Sequence, residues 1–182
     1  MSLPARHQLE PWHLHPQLAD DTHPVDSWPL CEVRLMDDAN HPWLILVPRV
    51  TDATEVTDLD ATQQQALMQE VDRAARMLGV FRPHKLNVAA LGNLVPQLHV
   101  HVIARYEEDI AWPRPVWGTV AAQPYAPEAL IERINLLRAS LAESAGFLSN
   151  RPACAAGRAQ ASNTASIKRR MEGSRSGNAR RC

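Results

Sequence analysis

The stretch Gln97-Leu98-His99-Val100-His101-Val102-Ile103 alternates polar and apolar side chains, the period of a strand with one buried face. On such a strand Gln97, His99 and His101 point to one side, and Leu98, Val100 and Val102 point to the other, into a core. Two imidazoles on neighbouring same-face positions sit within reach of one ligand. Just upstream, Gly92 and Asn93 offer what a phosphate-cradling loop needs, close backbone approach and a side-chain amide. Spacing alone leaves three readings: a solvated polar face, a metal half-site completed by ligands elsewhere, and phosphate chemistry.

Working outward, Lys85 to Leu91 reads as the strand before this one, joined through the turn Gly92 to Pro96, with the motif strand running from Leu98 to Arg105. Upstream of both lies a helix. Asp60 is its N-cap and Gln63 completes a capping box, while Leu67, Val71, Ala74, Ala75 and Leu78 recur at helical spacing up to Gly79. Leu30 to Met36 and Trp43 to Val47 form a strand pair around the turn Asp37 to Pro42. The opening, to about Trp28, reads as loop with one short helix near His15 to Asp20. A Pro/Trp-rich loop from Trp112 to Pro127 precedes a closing helix from Glu128, with Leu130, Ile134, Leu137 and Leu141 along one face. Hairpin-joined strands with helices laid against them predict an α+β domain.

The net charge of −1 over 182 residues conceals a division. Residues 1–148 carry 11 Lys and Arg against 19 Asp and Glu, whereas residues 149–182 carry 8 against 1. The tail has no aromatic residue and only Ile167 and Met171 as large apolar ones, too little to offset its ordering entropy, so it reads as a disordered appendage to a domain of residues 1–148. Its run Lys168-Arg169-Arg170 offers a contact for nucleic acid, against the simpler reading of a solvated tail. No stretch approaches the roughly 20 apolar residues of a membrane span. The N-terminus lacks a secretory pattern. Cys31, Cys154 and Cys182 match neither a disulfide framework nor a metal site, which fits reduced thiols and a cytoplasmic location. The sequence calls for no cofactor.

The central motif resembles that of the histidine triad (HIT) family, His-φ-His-φ-His-φ-φ with φ apolar. The likeness extends over about residues 10–145, through Leu44-Ile45-Leu46-Val47-Pro48-Arg49, the helix from Asp60, and Leu86-Asn87-Val88. It is similar in particular to a bacterial branch with Gln in the first triad place and the blocks Asn87 to Asn93 and Trp112 to Gly118. The resemblance implies the HIT-like fold, an antiparallel sheet with a long helix and a C-terminal helix against it.

It also implies nucleotidyl chemistry at the α-phosphate of a nucleotide ester, anhydride or phosphoramidate. His99 takes the nucleophile's place, forming a nucleotidyl-histidine that water hydrolyses. Imidazole suits this, being available neutral near pH 7 with a reference pKa of about 6.5. His101 would hydrogen-bond phosphate oxygens. Asn87 and Asn93 match phosphate-contacting positions, and Asp37 one that binds ribose hydroxyls. Leu35 and Leu44 either floor the base pocket or pack the core. The family's habit of pairing its sheets implies a homodimer.

Two departures stand out. Gln97 replaces the first triad His, and its amide cannot shuttle a proton near pH 7. Trp43 stands where many members have a further His. Losing a positioned acid costs about 10²–10⁴ in rate, so a nucleotide-binding module with weak catalysis is the alternative. Among the other histidines, His13 and His15 repeat the spacing between prolines that disfavour a strand, His41 reads as a solvated turn residue, and His84 as surface. Trp112, Trp117 and Tyr125, in a segment stiffened by Pro113, Pro115, Pro124 and Pro127, form a lid, a dimer arm, or a loop pinned to its own core.

Overall fold

The computed structural model describes the backbone of residues 11–149 and the side chains up to residue 140. Apart from Ser149, the expected disordered tail lies outside the described residues, as does the side chain of Leu141. Helix α1 (Pro16–Asp21) leads into strands β1 (Thr22–Ser27), β2 (Cys31–Met36) and β3 (Trp43–Pro48). Helix α2 (Ala61–Leu78), strands β4 (Lys85–Ala89) and β5 (Val100–Arg105), and helix α3 (Pro127–Ser149) follow. The five strands form one sheet in the order β1-β2-β3-β5-β4, antiparallel throughout. This is the expected α+β arrangement.

Local rules account for the elements. The Asp60 carboxylate accepts from the Gln63 N–H at 2.8 Å while the Gln63 side chain accepts from the Asp60 N–H at 2.9 Å, so the expected capping box starts α2. Leu67, Val71, Ala74 and Leu78 then bury along one face against Leu35, Leu44, Leu46, Val100 and Val102 of the sheet and Leu137 of α3. The opposite sheet face buries Trp43, Ile45, Val47 and Ile103 under Leu18 of α1 and the loop residues Val95, Ala111 and Val116. With a layer on each side, β3 and β5 are buried at every position. That is why β3 reads as a nearly unbroken apolar run rather than an alternation.

Several readings need correction. Thr22 to Ser27 is a strand, not loop. Pro24 has no N–H for a ladder and the register slips between Pro24 and Asp26, both tolerable because β1 is an edge. Strand β4 ends at Ala89, before Gly92 turns the chain at φ +67. Strand β5 begins at Val100, so Gln97, Leu98 and His99 precede it, and Leu98 donates its N–H to the Ala53 carbonyl at 2.9 Å. Leu35 and Leu44 are core residues on the helix-covered face. His41 is fully buried rather than solvated, because the later part of the Trp loop folds over its turn. The Ala39 N–H meets the Gln123 carbonyl at 2.7 Å and the Gln123 N–H meets the Asp38 carboxylate at 3.2 Å. Burial pushes the His41 pKa down, and neither ring nitrogen has a hydrogen-bond partner among the described residues.

Candidate active site

Strand β5 lies between β3 and β4, with His101 opposite Ile45 on one side and Ala89 on the other. The His99 and His101 rings are 4.9 Å apart between centroids and inclined at 76°. Their partners assign the protons. His99 Nδ1 lies 2.7 Å from the Gln97 carbonyl oxygen. A carbonyl only accepts, so Nδ1 carries the hydrogen and a neutral ring keeps its lone pair on Nε2. For His101 the partner is the opposite kind: the Trp43 indole N–H, which only donates, lies 3.0 Å from Nδ1. The His101 proton is therefore on Nε2. Burial, with His99 alongside, pushes the His101 pKa down to about 3, so this ring is neutral at pH 7. The pair offers one lone pair and one neutral donor.

Both rings line a cavity of about 310 Å³. Trp43 and Ile45 form part of its floor, Leu91 to Val95 a second wall, and Leu18, Asp21, Thr22 and Met36 a third. This mostly apolar cleft with a few convergent polar groups has the character and size of a small-molecule site. Trp117 closes a further side, its ring edge-on to Trp43 at 5.7 Å and to His101 at 5.3 Å. The left-handed backbone at Gly92, rather than lack of room, favours glycine there, since a Cβ would meet only the Val95 carbonyl at 3.9 Å.

Of the residues singled out in the sequence, His99, His101, Gly92 and Asn93 meet at this cavity, and three do not. The Gln97 amide accepts from the His15 N–H and donates to the His13 carbonyl, both at 2.9 Å, and lines a separate cavity with Trp12, His13 and His15. The Asn87 oxygen accepts from Arg105 at 2.7 Å. Arg105 also grips Asp109 at 2.7 and 3.1 Å and the Arg114 carbonyl at 2.9 Å, tying down the loop that carries Trp117. Asp37 accepts from the Tyr125 N–H at 3.0 Å and pairs with His23 at 3.3 Å. His15 caps α1 through Nδ1, and His84 is exposed, 3.2 Å from Glu107. The Trp loop is pinned to its own fold: Trp112 packs against His84, and Tyr125 joins the core between sheet and helices. Asp21, Thr22 and Leu18 are the site residues the sequence did not suggest. The short α1 that delivers them was visible, but nothing in its spacing marks it as a cavity wall.

The five-stranded antiparallel sheet thus presents paired imidazoles beside a Gly-Asn turn at one cavity. The HIT domain family profile matches residues 19–108. A histidine triad protein from Bradyrhizobium japonicum is 48% identical, with the alignment covering 72% of this chain and 98% of that one at a TM-score of 0.70. One from Marinobacter aquaeolei is 44% identical over 73% of this chain and 98% of that one, at 0.69. A hypothetical histidine triad nucleotide-binding protein from Sulfolobus tokodaii shares the fold at a TM-score of 0.57 and 14% identity, over 74% and 95% of the two chains. No match was found among curated protein sequences. The chain belongs to the histidine triad family.

Proposed function

We propose that this protein is a nucleotide hydrolase or transferase acting at the α-phosphate through a nucleotidyl intermediate on His99. One observation carries the reading: the Gln97 carbonyl holds the His99 proton on Nδ1, leaving Nε2 unprotonated in a ring that lines a nucleotide-sized cavity. His101 Nε2–H, the Gly92 backbone and the Asn93 amide are the donors for phosphate oxygens as charge develops. The apolar walls suit a nucleoside. For the ribose hydroxyls we assign Asp21, a residue of this cavity whose Oδ1 also accepts from the Gln17 amide at 2.8 Å, in preference to Asp37, which lies outside the cavity and accepts from the Tyr125 N–H. Asn87, which lies outside this cavity with its oxygen accepting from Arg105, is assigned no phosphate contact.

Phosphorus NMR with diadenosine tetraphosphate and an adenosine phosphoramidate, wild type beside His99→Asn, tests this. AMP release by wild type alone, with affinity in the variant within about tenfold or 1.4 kcal/mol, is the expected result. Equal turnover in both proteins removes His99 as nucleophile. Saturable binding without release in either supports the second reading, a nucleotide-binding module, which a neutral His101 with no acid beside it among the described residues favours. A homodimer formed through β4 fits its pairing on one side only and Val88 standing 52% exposed. No helix among the described residues is long and apolar enough to cross a membrane.

A further inference from the structure

Trp43 is the partner that decides which nitrogen of His101 carries the proton. Its Nε1–H has no acceptor role to exchange, so a hydrogen bond at 3.0 Å to His101 Nδ1 requires a lone pair there. The two rings are 5.4 Å apart between centroids, and Trp43 is itself held by Trp117 edge-on at 5.7 Å. The side chains facing His101 from the neighbouring elements are Trp43 and Ile45 of β3, Ala89 of β4 and Trp117 of the loop, none of them ionisable. The titratable neighbours are His99, in ring contact, and Asp21, elsewhere on the cavity wall.

We infer that Trp43 is a positioning residue that holds His101 as a neutral Nε2–H donor, and that the site is thereby restricted to nucleotides whose leaving group departs without a proton: phosphoanhydrides rather than phosphoramidates of basic amines. This rests on the proposed attack by His99. In that step the Nε2 lone pair forms the N–P bond, and the P–O bonding pair leaves with the bridging oxygen as a phosphate anion. The nucleotidyl-His99 keeps its Nδ1–H on the Gln97 carbonyl and carries a positive charge. Water then attacks phosphorus, the N–P pair returns to Nε2, and a nucleoside monophosphate and a proton are released. An alkylamine leaving from phosphorus needs a proton delivered to its nitrogen. A neutral imidazole N–H stabilises charge by hydrogen bonding but does not supply that proton.

The test uses the full chain and two readouts. Long-range ¹⁵N–¹H spectra without nucleotide, with His101 identified by comparison with His101→Gln, report which ring nitrogen is protonated. From pH 5 to 8 wild type is expected to show Nε2 protonated and Nδ1 unprotonated. Trp43→Phe, which keeps an aromatic ring but removes the donor, is expected to show a mixture of both tautomers. The second readout is kcat/KM for diadenosine tetraphosphate against an adenosine phosphoramidate of an alkylamine. Wild type should favour the anhydride at least 100-fold, in keeping with the absence of a positioned acid. Trp43→His, whose ring can pass a proton to His101, should narrow that ratio at least tenfold. A His101 ring protonated on Nδ1 in wild type, or equal rates on the two substrates, overturns the inference. Absence of turnover on both substrates with the expected spectrum counts against the hydrolase reading and upholds the proton assignment of His101.

Discussion

Gln97, singled out in the sequence beside the paired histidines, is engaged elsewhere in the fold. Both ends of its amide are taken by the backbone of His13 and His15, so it fastens the segment leading into α1, which in turn brings Leu18, Asp21 and Thr22 to the cavity. Gln97→Ala is expected to lower stability by about 1–3 kcal/mol, two net hydrogen bonds at about 0.5–1.5 each, measured by urea unfolding. Hydrogen exchange at Trp12 to Ala19 should rise with it. His99 and His101 were legible because period-2 alternation fixes their face locally. The engagement of Gln97 was not, because its partners lie 82 and 84 residues away. Asp37 likewise meets the Tyr125 N–H across 88 residues.

At the scale of elements, α2 was legible in full because its cap, its spacing and its terminal glycine agree. Its inward-facing Glu70 carries a tie that helical spacing does not reveal. The Glu70 carboxylate accepts from the Leu30 and Cys31 N–H groups at 2.8 and 2.9 Å, joining the helix to the start of β2. Glu70→Ala leaves both N–H groups without partners at a buried site and is expected to destabilise by about 2–4 kcal/mol, read from chemical unfolding. Strand β1 escaped notice because Thr22-His23-Pro24-Val25-Asp26-Ser27 has no alternation and contains a proline; backbone pairing with β2 alone makes it a strand. The Trp loop was legible as stiff. Its role at the cavity depends on the Arg105–Asp109 pair anchoring it. Trp117→Ala should raise KM at least fivefold with a smaller change in kcat, since Trp117 closes a wall and carries no reacting group.

For the molecule as a whole, buried ionisable groups set the response to acid. Burial works to raise the Asp109 carboxyl, but the Arg105 guanidinium and the Tyr106 and Ala111 N–H groups outweigh it and hold its pKa at about 2. An unfolded carboxyl titrates near 3.9, so this stabilisation is complete above about pH 4 and is lost as pH falls towards 2. His101 acts in the same direction over a higher range. Burial keeps its folded pKa at about 3, against about 6.5 unfolded, so the unfolded chain takes up a proton that the folded chain refuses. Unfolding free energy should therefore decline as pH drops below about 6.5. His101→Gln should flatten the slope between pH 6.5 and 4, with the remainder belonging in part to buried His41, and Asp109→Asn the slope between pH 4 and 2. Removing residues 150–182 should leave turnover within twofold, because the proposed site residues lie between Leu18 and Trp117.

The placement of Trp43 and Trp117 also has an optical consequence. Two of the five tryptophans stand edge-on at 5.7 Å to each other, one in the floor of the cavity and one closing a side, both against His101. A ligand entering the cavity brings its own ring system beside these indoles, so the protein carries a built-in fluorophore in its cavity lining. Unlabelled nucleotide should quench intrinsic emission saturably, and Trp117→Phe should remove much of that signal.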